Sequence, residues 1–137
     1  MSEYIKPLPA VQPWSQPFWD GTKQHKLLIQ QCKACGAKIF YPRKVCPECW
    51  SQELGWSEAS GRGTVYTFTI TRDGVEAKFV PDLPYVLAMI DLEEGIRMMG
   101  NVVECDPEQV TFGMDVDVVF DDVTDEFTLP KWRPRTS

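Results

Sequence analysis

A chain of 137 residues has room for one or two small domains, and 43% hydrophobic residues with 12% aromatics let it build a core, which excludes a disordered tail. No apolar run approaches the roughly 20 residues that a membrane-spanning helix needs. The net charge of −6 is split unevenly, +2 over residues 1–61 and −8 over residues 62–137. So acidic a second half is a poor surface for a phosphate backbone, which binds proteins by releasing counterions to Lys and Arg.

The chain opens Met-Ser-Glu-Tyr, with no apolar targeting core and no cleavage site, so a reducing, cytoplasmic setting is expected. Prolines 7, 9, 13 and 17 rule out a regular helix across Ile5 to Pro17, which reads as an extended arm with Trp14 packing on the body. Ser15 reads as an N-cap with Pro17 in the first turn of a short amphipathic helix over about 16–25. Phe18 and Trp19 would lie on one side and Lys23, Gln24 and Lys26 on the other, with Gly21 weakening the helix. The two aromatics either cap the core or dock onto a partner.

Residues 32 to 49, CKACGAKIFYPRKVCPEC, hold the strongest signal. Cys32/Cys35 and Cys46/Cys49 are two Cys-x-x-Cys pairs separated by ten residues. Each pair can converge its sulfurs in a knuckle turn, and four thiolates at about 2.3 Å satisfy a tetrahedral metal completely, with no open position for a substrate. Gly36 after the first pair and Pro47 inside the second suit such turns. Two disulfides would need an oxidising compartment, and a thioredoxin-like pair would need a βαβ pattern that is absent here. Structural zinc is the expectation; four thiolates also make a rubredoxin iron centre, which sequence does not separate from zinc. Strands over Lys26 to Gln31, Lys38 to Pro42 and near Glu53 to Trp56 would complete a zinc ribbon with almost no apolar core, stabilised mainly by its metal. Arg43 and Lys44 would lie exposed between the knuckles, solvated or meeting a phosphate or an acidic partner.

Ser60-Gly61-Arg62-Gly63 reads as a flexible joint, and the chain beyond it is mainly β. Thr64 to Thr71 alternates, with Tyr66, Phe68 and Ile70 on one face. Asp73 to Leu83 is a loop that exposes Phe79 and Val80. Pro84 to Leu92 is nearly continuous apolar, as in a central strand buried on both faces. Glu93-Glu94-Gly95 turns the chain into Ile96 to Cys105, and Asp106-Pro107 starts one helical turn. Gly113 to Phe120 is a further strand and Phe127 to Trp132 a last edge strand. The expected fold is mostly β: an N-terminal arm and helix (1–25), a four-cysteine zinc ribbon (26–60) and a five-stranded Greek-key barrel of the OB type (61–137).

The order Pro17-Phe18-Trp19, CKACG, CPEC and Ser60 to Tyr66 resembles the DUF35 family. So do Leu83 to Val86, Cys105-Asp106-Pro107, Val110 to Met114, Val118 to Thr124 and Leu129 to Pro134. The resemblance covers about residues 14–134. It implies a rubredoxin-like zinc ribbon joined to an acyl-CoA-associated OB fold. It also implies a non-catalytic subunit that works beside a thiolase-fold enzyme in a hetero-oligomer, with a CoA thioester as substrate of the complex. The small, acidic format is similar to the small-subunit kind found in benzoylsuccinyl-CoA thiolase.

No catalytic set of the chain's own is evident. Cys105 is the one thiol outside the metal set, and the only histidine, His25, lies at the helix end. Asp121, Asp122, Asp125 and Glu126 read as a solvated acidic loop, and Gly61-x-Gly63 is a weak nucleotide signal. Charge and placement nominate Arg43, Lys44, Arg62 and Arg133 for the phosphates of CoA, with Phe79 and the Lys131-Trp132-Arg133 stretch shaping a channel. Two alternatives are an OB-fold nucleic-acid binder stacking bases on Tyr66, Phe68 and Trp132, against which the acidity of the barrel half argues, and an iron-bearing electron carrier.

Overall fold

A computed structural model describes residues 4–135. Residues 1–3 and 136–137, to which the expected arm and barrel extend, lie outside the described residues. After the arm, helix α1 spans Gln16–Lys23. The ribbon comes next as β1 Leu28–Cys32, β2 Lys38–Ile39 and β3 Leu54–Glu58. The second half comprises β4 Arg62–Thr71, β5 Tyr85–Leu92, β6 Arg97–Val102, β7 Asp115–Asp122 and β8 Thr128–Pro134. Two 3-10 turns, Ala77–Asp82 and Pro107–Gln109, precede β5 and β7. The ribbon is a three-stranded sheet ordered β2-β1-β3, and the second half is a closed five-stranded barrel ordered β4-β5-β6-β8-β7. The fold is therefore mostly β, with the expected short helix, four-cysteine ribbon and OB-type barrel.

Sequence pattern explains most of these elements. Ser15 occupies the N-cap position, yet its hydroxyl closes back on Gln12 instead of capping the helix. The helix stops two residues earlier than expected because His25 takes a positive φ of 59°. Gly21, a weak helix former, has a packing reason: a Cβ there would meet the Leu28 side chain at 2.8 Å, so glycine lets β1 approach. Phe18 is buried and stacks edge-on against Phe40, and Trp19 meets Phe127 of the barrel. Both aromatics thus pack inward, in the core-capping sense.

Four expectations need correction. The alternation in β4 breaks at a bulge between Val65 and Thr67, so Tyr66 leaves the face it would share with Phe68 and Ile70 and stands exposed. In β5, Val86, Ala88, Ile90 and Leu92 are buried but the residues between them are only half-buried, because no layer fully covers the outer face of the barrel. β8 is not an edge strand. It pairs antiparallel with β7 and parallel with β6, and Trp132, 0% exposed, fills the barrel interior. Its ring fits because Gly100 lacks the Cβ that would lie 2.8 Å from it. Finally, the ribbon is not without apolar support. Leu27 and Ile29 belong to the same buried cluster as Phe18 and the barrel residues Val65, Ile90 and Trp132. Only Cys32, Ile39 and Cys46 form a separate small core around the sulfurs.

The joint between the halves is packed. Gly61, at φ +81°, sits where a Cβ would lie 2.7 Å from Val118, and the Ser60 backbone N–H donates to Glu94 at 2.8 Å. The β5–β6 hairpin therefore holds the joint from the side.

Candidate metal centre and cation surface

β1 delivers Cys32 at its last residue, and the chain turns through Cys35 and Gly36, whose φ of +79° only glycine adopts easily. The second knuckle turns through Cys46 to Cys49 and is closed by the Trp50 N–H donating to Cys46 O at 2.9 Å. All four sulfurs lie within 4.8 Å of one another. Cys32–Cys49 and Cys35–Cys46 are each 3.6 Å apart. Sulfurs at the corners of a tetrahedron with bonds of about 2.3 Å stand about 3.8 Å apart, so the set fits a four-thiolate ion. Cys32 and Cys46 are buried and Cys35 and Cys49 reach the surface. Backbone N–H groups of Cys35 and Glu48 point at the Cys32 and Cys46 sulfurs at 3.4 Å, a donation that stabilises thiolate charge.

The protons on this set are unequal. The Cys35 amide draws the Cys32 thiol down to about 7. At Cys49 the Ser51 amide pulls downward, but burial and the neighbouring sulfurs push the thiol up to about 12. A bound cation would supply the positive charge that lets all four ionise together.

One supporting residue went unnoticed in the sequence. Gln30 is buried, and its amide makes two 2.8 Å hydrogen bonds with the Arg43 backbone, Nε2 donating to the carbonyl and Oε1 accepting from the N–H. It thereby fixes the approach to the second knuckle. A glutamine pointing inward from a strand of otherwise apolar inward residues was the available signal.

The four nominated cations divide between two places. Arg43 and Lys44 line a cleft beside the ribbon, and Lys44 Nζ lies 4.5 Å above the Trp14 ring. Arg62 and Arg133 sit on the barrel exterior, each aligned with Asp117 across β4-β7-β8. Arg62 approaches Glu93 at 4.0 Å and Arg133 approaches Glu104 at 3.7 Å. A second cleft, of about 420 Å³, is lined by Lys6, Phe79, Asp82, Cys105 and Lys131 among others. Phe79 and Lys131 thus meet there as part of one wall, whereas Trp132 does not reach it. Burial, then Asp106, push the Cys105 thiol up, so it is a poor nucleophile at neutral pH. His25 bonds Asp122 at 3.0 Å and stacks on Phe120. Asp121 pairs with Lys131 at 2.6 Å, so this end of the acidic stretch is engaged rather than simply solvated.

The base-stacking set does not assemble. Trp132 is interior, Phe68 packs against Phe112, and the guanidinium of Arg97 covers the Tyr66 ring at 3.5 Å. Among the described residues no helix is long and apolar enough to cross a membrane.

Comparison with known proteins matches both halves. A family described as ChsH2, rubredoxin-like zinc ribbon domain, matches residues 19–55, and one described as ChsH2, C-terminal OB-fold domain, matches residues 56–121. A DUF35 domain-containing scaffold protein of Methanocaldococcus jannaschii is 40% identical over 104 residues, 74% of this chain and 73% of that protein. The chain belongs to the DUF35 family. Among other relatives, a probable enoyl-CoA hydratase alpha subunit of Thermomonospora curvata is 33% identical over 130 residues, 95% of this chain. This DUF35 chain spans only 40% of the length of that protein. A benzoylsuccinyl-CoA thiolase subunit of Geobacter metallireducens is 31% identical over 90 residues, 61% of this chain and 59% of that one. A solved structure described as an Ltp2-ChsH2(DUF35) aldolase superposes with a TM-score of 0.85 at 33% identity, covering 93% of this chain and 98% of that one.

Proposed function

We propose that this DUF35 chain is a non-catalytic accessory subunit of a complex that processes CoA thioesters, its partner a thiolase-fold subunit that cleaves or condenses a 3-oxoacyl-CoA. The observation that carries this reading is the use to which the reactive groups are put. Four of the five thiols converge within 4.8 Å of one another, and burial pushes the fifth up. The single histidine is hydrogen-bonded to Asp122 and stacked on Phe120, and among the described residues no cysteine stands beside it as a nucleophile would stand beside its base. What remains is a rigid body with exposed aromatic and cationic surface, suited to docking. The thiolase subunit of Geobacter supports the choice of partner. A second reading, a hydratase- or aldolase-type catalytic partner, is favoured by the names of the Thermomonospora relative and of the superposed aldolase.

In this reading the metal is zinc, which would hold the two knuckles by Cys32, Cys35, Cys46 and Cys49 and supply structure, not chemistry. The ribbon is the docking piece: Trp50, 77% exposed beside the second knuckle, and Tyr41 are its apolar anchors. Arg43, Lys44, Arg62 and Arg133 are the groups available to the CoA phosphates. Recovery of the chain with its partners from its native cells, with metal quantified on the same sample, tests the proposal. A co-purifying thiolase-fold protein with one zinc per chain is expected; recovery of a nucleic acid instead would overturn it. Cys46→Ser should lose metal and partner together, and full partner binding without metal would refute the ribbon as dock.

A further inference from the structure

The distribution of unneutralised charge singles out one surface. Among the described residues, every Lys and Arg from Arg62 to Arg135 has a carboxylate within 4.0 Å, and Lys6 reaches across to Asp82. Lys23, Lys26, Lys33, Lys38, Arg43 and Lys44, all in the helix and ribbon half, have no such partner among the described residues. That half also carries Asp20, Glu48, Glu53 and Glu58, and with its net charge of +2 over residues 1–61 it is the more positive half of an acidic protein.

Two of those cations share a cleft of about 410 Å³ between the N-terminal arm and the ribbon, walled by Pro13, Trp14, Pro17 and Trp56. Among the described residues no Asp or Glu lines it, although the chain has 20 of them. The chain that carries the two cations is anchored: Gln30 clamps the Arg43 backbone N–H and carbonyl at 2.8 Å, and Lys44 lies over the Trp14 ring at 4.5 Å. Trp14 and Trp56 are only half-buried, so both keep accessible indole surface. The other large cleft differs in kind, since Lys6 and Lys131 there are already neutralised by Asp82 and Asp121.

We infer that the arm–ribbon cleft binds a nucleoside diphosphate, the phosphates meeting Arg43 and Lys44 and the flat base packing on the indoles. Adjacent cations recognise paired phosphates, and indole faces take planar rings. The volume also falls within the usual range for small-molecule sites, roughly 300–1,000 Å³. Such a group arrives either as the nucleotide end of CoA, a source that rests on the function proposed above, or as a free nucleotide. In the first case the thioester is held by its inert end on the ribbon, away from the barrel.

Calorimetric titration of the metal-loaded full chain tests this, with ADP, CoA, pantetheine and inorganic tripolyphosphate as probes. Expected are binding of ADP and CoA, no heat from pantetheine, and tripolyphosphate at least tenfold weaker than ADP. CoA tighter than ADP would identify CoA as the source, and equal or weaker binding a free nucleotide; either supports the site. Arg43→Gln/Lys44→Gln should weaken both ligands at least tenfold while keeping metal content and melting temperature, since Gln30 holds backbone atoms that the substitution leaves in place. Absence of ADP binding, an unaffected double variant, or tripolyphosphate as tight as ADP would overturn the assignment. A partner pull-down with the unsubstituted chain, read beside its titration, separates the two ideas. Partner recovery without nucleotide binding sinks the cleft alone, and nucleotide binding with no CoA-processing partner sinks the accessory role alone.

Discussion

At the scale of single residues, the most informative position is Gln30. It is a buried polar group fully satisfied by the Arg43 backbone, so its removal would leave an N–H and a carbonyl unpaired near the second knuckle. Gln30→Leu is expected to cost roughly 1–3 kcal/mol in urea denaturation and to weaken metal retention in a chelator competition. Unchanged stability would mean water replaces the clamp. Asp122 offers a second test. Hydrogen bonds from Thr128 and then His25 hold its carboxyl below its ordinary value of 3.8. A depressed carboxyl contributes stability that is present in full above the ordinary value and lost as pH falls through the lowered one. Thr128→Val should move the Asp122 titration, followed by carboxyl NMR, back toward its ordinary value and flatten the acid limb of the stability curve. The convergence of the four cysteines was readable in the sequence because two Cys-x-x-Cys pairs carry their geometry in their spacing. Gln30 was not, because its meaning depends on a partner thirteen positions away.

At the scale of elements, the same contrast recurs. Strand positions, the β5–β6 hairpin and the Asp106 cap are set by local pattern, and Asp106 does accept the Glu108 N–H at 2.9 Å. The bulge at Tyr66 is not: an extra residue in one strand is set by its pairing with β5, and a one-residue slip reverses every side chain beyond it. Likewise, Trp132 in a short stretch with two prolines reads as an edge until β6 and β7 are known to flank it. Helix α1 is amphipathic on paper, but its role as the piece that joins ribbon and barrel shows only in three dimensions. Phe18→Ala should cost about 3–5 kcal/mol, the range for a buried phenylalanine, and should destabilise both halves in one transition. Two separated unfolding steps, by circular dichroism and tryptophan fluorescence, would show instead that the shared core does not couple them.

For the whole molecule, the charge asymmetry seen in composition proved spatial: among the described residues the barrel cations are paired with carboxylates and those of the helix and ribbon are not. Metal dependence belongs to this scale as well. Protons and the ion compete for the same four sulfurs, so affinity falls as pH falls. Lowering pH from 7 to 5 in the presence of a chelator should strip the metal and disorder the knuckles. Leu27, Ile29 and the barrel core should survive, because their cluster is separate from that of Cys32, Ile39 and Cys46. Amide exchange would report protection lost around the knuckles and kept in β5; loss in both would show that the ion supports the entire fold.

The position of β8 has a consequence for synthesis. It lies between β6 and β7, contributes Trp132 to the interior, and touches α1, so strands and helix made earlier have no closed barrel to join until it emerges. On the ribosome the knuckles, whose ligands all precede residue 50, can capture an ion while two barrel strands still present open edges. A nascent chain stalled before Thr128 therefore has its four cysteines ready for an ion while two strand edges stay open to pairing, a substrate for chaperones rather than a half-built subunit.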